Sequence, residues 1–128
     1  MVEVSKKFYV VDCIRTNNFS DNLVVQKIGN LWQKVSIKIP NGVKKYGIYH
    51  DYKSDFKEDY TLSVATDIET SNKKLEFAGK YQIFDVNMNI ENPIIKAWKQ
   101  IWSMQINRTY TFDFEQYNPD GTVQIYCA

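Results

Sequence analysis

Lys7-Phe8-Tyr9-Val10-Val11-Asp12-Cys13 and Lys80-Tyr81-Gln82-Ile83-Phe84-Asp85-Val86 can be laid one on the other residue for residue, and each run precedes a segment with helical periodicity. In the first such segment Val24, Ile28, Leu31, Trp32 and Val35 recur at three- and four-residue steps, the spacing of one helix face. In the second, Ile94, Ala97, Trp98, Ile101 and Trp102 form the stripe, while Lys96, Lys99 and Gln100 point away. Start signals accompany both. Ser20 is placed to cap the first helix, with Phe19 and Val24 as a hydrophobic staple. Asn92 precedes the second, with Pro93 at its first position, where a missing N–H costs nothing.

After each helix comes a tyrosine-rich run, Ile48-Tyr49-His50-Asp51-Tyr52 and Asp113-Phe114-Glu115-Gln116-Tyr117, then a turn and a closing strand. The turns fall near Lys53 to Glu58 and at Asn118-Pro119-Asp120-Gly121, and the closing strands are Tyr60 to Ile68 and Thr122 to Ala128. Both halves therefore read as strand, helix, strand, strand, repeating after about 70 residues. One domain over residues 1–128 is expected, with pseudo-repeats at about 1–70 and 71–128. The expected class is α+β: duplicated β-α-β-β units forming one antiparallel-rich, curved sheet with two helices on one face. A ligand groove should open at the pseudo-twofold between the halves, since such junctions favour binding sites.

Composition narrows the function. Sixteen basic residues against fifteen acidic give a net charge of +1, without the basic excess of a phosphate-reading surface, so no direct nucleic-acid binding is expected. No stretch approaches the roughly 20 apolar residues of a membrane span, and Met1 to Lys7 has no signal-peptide character. Cys13 and Cys127 read as small reduced hydrophobes, and a cytoplasmic protein is expected. Nine Tyr, seven Phe and three Trp exceed what a core of this size requires, and would suit a pocket for flat or cationic ligands. The single histidine, His50, has no partners at ligand spacing, so neither metal nor cofactor is expected. The chain has no P-loop, dinucleotide-binding glycine run or Gly-x-Ser-x-Gly.

Five phrases in order resemble the GyrI-like effector-binding domains, the drug-sensing modules of bacterial transcription activators and their free-standing, integron-associated relatives. They are Leu31-Trp32, Tyr46 through Tyr52, Gly79-Lys80-Tyr81, Ala97-Trp98 through Ile101-Trp102, and Asp113 through Tyr117. The resemblance implies a pocket between the halves and a glutamate of the penultimate strand reaching into it; Glu115 matches that glutamate. Trp102 matches a tryptophan at the end of the second helix. The family's Trp-Leu-Pro phrase is replaced here by Trp102-Ser103-Met104, and these 128 residues leave no room for the helix-turn-helix of the family's regulators.

Local spacing alone reads differently. Alternation puts Asp113, Glu115 and Tyr117 on one strand face that would ordinarily meet solvent. The internal alignment sets His50 opposite Glu115, as a second polar group in the groove or as an exposed strand histidine. Of Tyr46, Tyr49, Tyr52, Tyr110 and Tyr117, parity favours Tyr52 and Tyr117 beside Glu115, and Tyr49 joins them if a bulge shifts the phase. Trp32 and Trp98 read as core; Trp102 reads as pocket. The expected ligand-binding set is therefore Glu115, Trp102, Tyr117, Tyr49, His50 and Tyr52. The expected function is a stand-alone binding module for a small lipophilic or cationic, aromatic molecule. The alternatives are a small hydrolase of electrophilic compounds using Glu115 with Tyr117, and a protein-interaction module such as a topoisomerase modulator. A monomer or weak dimer is expected, with a protein partner as a further prospect.

Overall fold

The computed structural model describes residues 1–54, 57–104, 106 and 108–128. Its elements are β1 (Val2–Thr16), α1 (Val24–Ser36), β2 (Lys45–His50), β3 (Tyr60–Thr66), β4 (Lys74–Asp85), α2 (Pro93–Ser103), β5 (Phe112–Tyr117) and β6 (Val123–Cys127). This is the expected β-α-β-β order written twice. All six strand pairings are antiparallel, in the order β1-β3-β2-β5-β6-β4, and β1 also pairs with β4, so the curved sheet closes into a barrel. Each half contributes its strands in the same sequence, first, third, second. The halves meet at β2–β5 and at β1–β4.

Alternation along the strands sorts side chains between the barrel interior and its outer face. Inside lie Phe8, Val10, Tyr46, Ile48, Ala65, Tyr81 and Phe114, all buried. Phe8 and Tyr81, matched in the two superimposed runs, both point there. A bulge between Val10 and Asp12 adds one residue to β1, and Val11 at the bulge and Ile14 beyond it pack on the outer face. That face carries both helices. Leu31 and Val35 of α1 pack on Tyr60, Leu62 and Val64, whereas Trp98 and Ile101 of α2 pack on Ile125 and Cys127. Burial pushes the Cys127 thiol up to about 12. Cys13 is half-buried, and both cysteines are free thiols.

Several local expectations need correction. Helix α1 starts at Val24 with Leu23 at its N-cap and no side-chain cap, so Ser20 caps nothing. The preceding turn is held by Asn17 Oδ1, which accepts from the amides of Phe19 (2.8 Å) and Ser20 (3.0 Å). Asp21 Oδ1 accepts from Leu23 N–H at 2.9 Å. Asn17 and Asp21, rather than Ser20, therefore supply the side-chain acceptors for these turn amides. Pro93 does open α2, and Asn92 takes the left-handed conformation before it (φ 49°). The Asn118 to Gly121 turn closes with Gly121 N–H donating to Asn118 O at 3.0 Å. The turn expected from Lys53 to Glu58 includes residues 55 and 56, which lie outside the described residues. No helix among the described residues is long and apolar enough to cross a membrane.

Candidate functional site

Over the β2–β5 seam, where the two halves join, a cavity of about 690 Å³ opens between α1 and α2. Its walls come from both halves: Ile28 and Trp32 of α1, Ile94, Trp98 and Trp102 of α2, Tyr49 of β2, Tyr60 of β3, and Glu115 and Tyr117 of β5. Tyr52 and Arg108 complete the floor, and Phe19 reaches across the mouth to Trp102, with ring centres 5.6 Å apart.

Glu115 is only 2% exposed. Strand alternation puts it on the outer face, but that face lies beneath the helices, so the solvent-facing reading from spacing alone fails. Its Oε2 accepts from Trp98 Nε1–H (2.6 Å) and the Tyr49 hydroxyl (2.9 Å), and its Oε1 accepts from the Tyr117 hydroxyl (2.7 Å). Burial raises its pKa above the ordinary value, and the three donors oppose that shift only in part. Burial, then the Glu115 charge, holds the Tyr49 and Tyr117 phenols well above their ordinary range. They remain neutral donors.

Gly47 makes this arrangement possible. It sits directly across β2–β5 from Glu115, and a Cβ there would lie 2.9 Å from Glu115 Oε1 and 3.3 Å from the Trp32 ring. A side chain would displace the carboxylate.

Of the sequence-derived set, Glu115, Trp102, Tyr117, Tyr49 and Tyr52 come together around the cavity. Tyr49 does so without a bulge, because it pairs with Asp113 and shares the face of Gly47 and Glu115. Parity does not bring in Tyr52, which lies beyond the strand. Asp51 turns the chain at a left-handed φ of 51°, and Tyr52 then donates to Asp113 Oδ2 at 2.6 Å. His50 is a correction: it alternates with Tyr49 and therefore faces the barrel interior, away from the cavity. There its Nε2 lies 2.7 Å from Ser63 Oγ and its ring stacks on Phe112 at 5.6 Å. Burial lowers its pKa, which favours the neutral ring. Tyr46 also points inside, against Phe8.

Sequence reasoning missed Trp98, Trp32, Gly47, Tyr60 and Arg108. Trp98 and Trp32 do pack in the core beneath the helices, as their stripes predict, and both also line the cavity. The Tyr46-Gly47 step within a strand was the one available signal, since an interior strand glycine often marks close approach of another group. Beside the cavity Asp113 is fully buried and accepts from Arg108 Nη2 (2.8 Å), Tyr52 and Ala128 N–H (2.8 Å). The Arg108 guanidinium lies against the Tyr110 ring (4.6 Å) and the Trp98 ring (5.7 Å). Among the described residues no group of three or more potential ligands is placed to hold a metal ion.

Comparison with known proteins agrees with this architecture. A family model described as "Integron-associated effector binding protein", Cass2, matches residues 13–128. The crystal structure of the integron cassette protein VCH_CASS2, from the mobile metagenome of Vibrio cholerae, superposes with a TM-score of 0.81 at 28% identity, covering 99% of this chain and 92% of that one. The Bacillus subtilis (strain 168) protein named "Putative transcriptional regulator protein YobU" is 28% identical over 127 residues, 85% of this chain and 79% of its own length.

Proposed function

Because the chain belongs to the integron-associated effector-binding protein family, we propose that it is a small-molecule binding module. Its ligand is a lipophilic, aromatic, positively charged compound, held between α1 and α2 with Glu115 as the polar centre. One observation carries this reading. The Glu115 carboxylate is buried in an aromatic cavity and, among the described residues, its hydrogen-bond donors are the neutral groups of Trp98, Tyr49 and Tyr117. Neutral donors stabilise a carboxylate without cancelling its charge, so a cation entering the cavity meets an attraction that reduced dielectric strengthens. The faces of Trp32 and Trp102 add about 0.5–2 kcal/mol for each ring that a cationic ligand covers.

The same geometry argues against hydrolysis by Glu115 with Tyr117. The phenols are held as donors to Glu115, and both carboxylate oxygens are already engaged, so the arrangement suits holding a ligand better than activating water. If the module acts in transcription regulation, as the name of the Bacillus subtilis relative has it, occupancy of this cavity would be the signal.

The test compares N-methylacridinium with acridine at mildly alkaline pH, where acridine is neutral, following quenching of the cavity tryptophans. Wild type should prefer the cation, and Glu115→Gln should reduce that preference by about tenfold or more, a loss of about 1.4 kcal/mol. Unchanged affinity of the Gln variant for N-methylacridinium would rule out the charge of Glu115 as the recognition element.

A further inference from the structure

The cavity walls carry three charged side chains, Glu115, Arg108 and Lys99. Glu115 is buried at the base, and Arg108 pairs with the buried Asp113 at 2.8 Å. Lys99 is exposed, and among the described residues its ammonium forms no ion pair and no hydrogen bond. The apolar stripe of α2 turns Lys99 away from the core, yet it lines the cavity. Ile95 and Trp102, four positions before it and three after, share its flank of the helix and line the cavity with it.

A second polar group stands at the same end. Phe19 reaches Trp102 across the mouth, with ring centres 5.6 Å apart, and so brings its neighbour Asn18 toward the part of α2 that carries Lys99. Asn18 Oδ1 accepts from the Tyr60 hydroxyl. That bond fixes the orientation of the amide, since the reverse orientation would leave the proton of Tyr60, itself only 1% exposed, without an acceptor. The Asn18 amide N–H groups then have no acceptor among the described residues, on a half-buried side chain that lines the cavity.

The two ends of the cavity are thus polar in opposite senses, with an anionic acceptor at the base and two donors, one of them cationic, at the mouth. Between them runs an aromatic floor: Tyr49, which donates to Glu115, and Tyr60, which donates to Asn18, lie 5.3 Å apart. A simple cation gains at Glu115 but meets the like charge of Lys99 on its way in. A flat ligand with its cation leading and an anion trailing gains at both ends.

We propose that Asn18 and Lys99 form a second subsite, for a carboxylate, so that the ligand of this cavity is an aromatic zwitterion rather than a simple cation. The inference rests on Glu115 taking the cationic end.

The probes are N-(3-carboxypropyl)acridinium and N-(5-carboxypentyl)acridinium, each beside its methyl ester, followed at neutral pH by quenching of the cavity tryptophans. Acid and ester differ only in the anionic end. Wild type should bind the acid about three- to fivefold more tightly than the ester at one tether length or both, the scale of an exposed ion pair. Lys99→Gln should lower that ratio to about one, and Lys99→Arg should keep it. Asn18→Leu removes the donor without adding charge and should lower the ratio by about threefold. A general loss of structure weakens acid and ester alike, so the ratio separates recognition from folding. Equal binding of acid and ester by wild type at both tether lengths overturns the proposal. So does an unchanged ratio in folded Lys99→Gln or Asn18→Leu, which would seat the carboxylate elsewhere in the cavity. Failure of the underlying reading shows in a different measurement: Glu115→Gln then keeps the wild-type preference for N-methylacridinium over acridine.

Discussion

At Gly47 the two halves leave room for one carboxylate and nothing more. Any added Cβ meets Glu115 Oε1 at 2.9 Å and Trp32 at 3.3 Å, and neither neighbour moves freely, since one is held by Tyr117 and the other packs edge-on against Tyr117 at 5.0 Å. Gly47→Ala should therefore cost about 1–3 kcal/mol in urea denaturation, as overpacking of a close-fitted site does, and should weaken cation binding at the same time. Glu115 itself has a pH signature. Its carboxyl is raised in the folded protein by burial, so the native state holds that proton to higher pH than the unfolded chain. The contribution is fully present below the unfolded value of about 4.3 and is lost as pH rises through the raised native value. Subtracting the stability of Glu115→Gln from that of wild type should give a difference that declines as pH rises across that window. A flat difference would show that burial does not disfavour the charged form.

The elements around the cavity were legible to different degrees. Helix stripes were easy to read, because a packed face imposes its period on the sequence. Helix starts were less so: Ser20 has the chemistry of a cap, but Asn17, only 4% exposed, has the position. Its side chain engages two amides of the turn leading into α1, the segment that carries Asn18 and Phe19 to the cavity. Asn17→Ala should cost about 1–2 kcal/mol by urea denaturation, whereas Ser20→Ala should change stability by less than about 0.5 kcal/mol. Equal effects would mean that the turn is not held by Asn17. Strand parity was legible for β5, where Asp113, Glu115 and Tyr117 do share a face. It failed from β2 onward to Tyr52, because the left-handed turn at Asp51 resets the alternation.

For the molecule as a whole, barrel closure makes each half depend on the other. The interior joins Phe8 of β1 to Tyr46 of β2 (4.3 Å between ring centres), Phe77 of β4 (5.6 Å) and Phe114 of β5 (5.5 Å), so a single ring bridges both repeats. Phe8→Ala should cost about 3–5 kcal/mol. Far- and near-ultraviolet circular dichroism should still report one coincident transition, because the β2–β5 and β1–β4 seams leave neither half a complete sheet. Two separated transitions would show that the repeats fold independently. By itself the amino-acid sequence determined the element order, the repetition of strand, helix, strand, strand, and the stripes that send two tryptophan-bearing helices to one side of a sheet. Those follow from periodicity and turn chemistry, which are local. Only the tertiary structure decided that the sheet closes, that His50 turns into the barrel, that Trp98 joins Tyr49 and Tyr117 in bonding Glu115, and that Arg108 is taken by Asp113. Each depends on which residues become neighbours across a seam, a pairing between distant positions that no local pattern encodes.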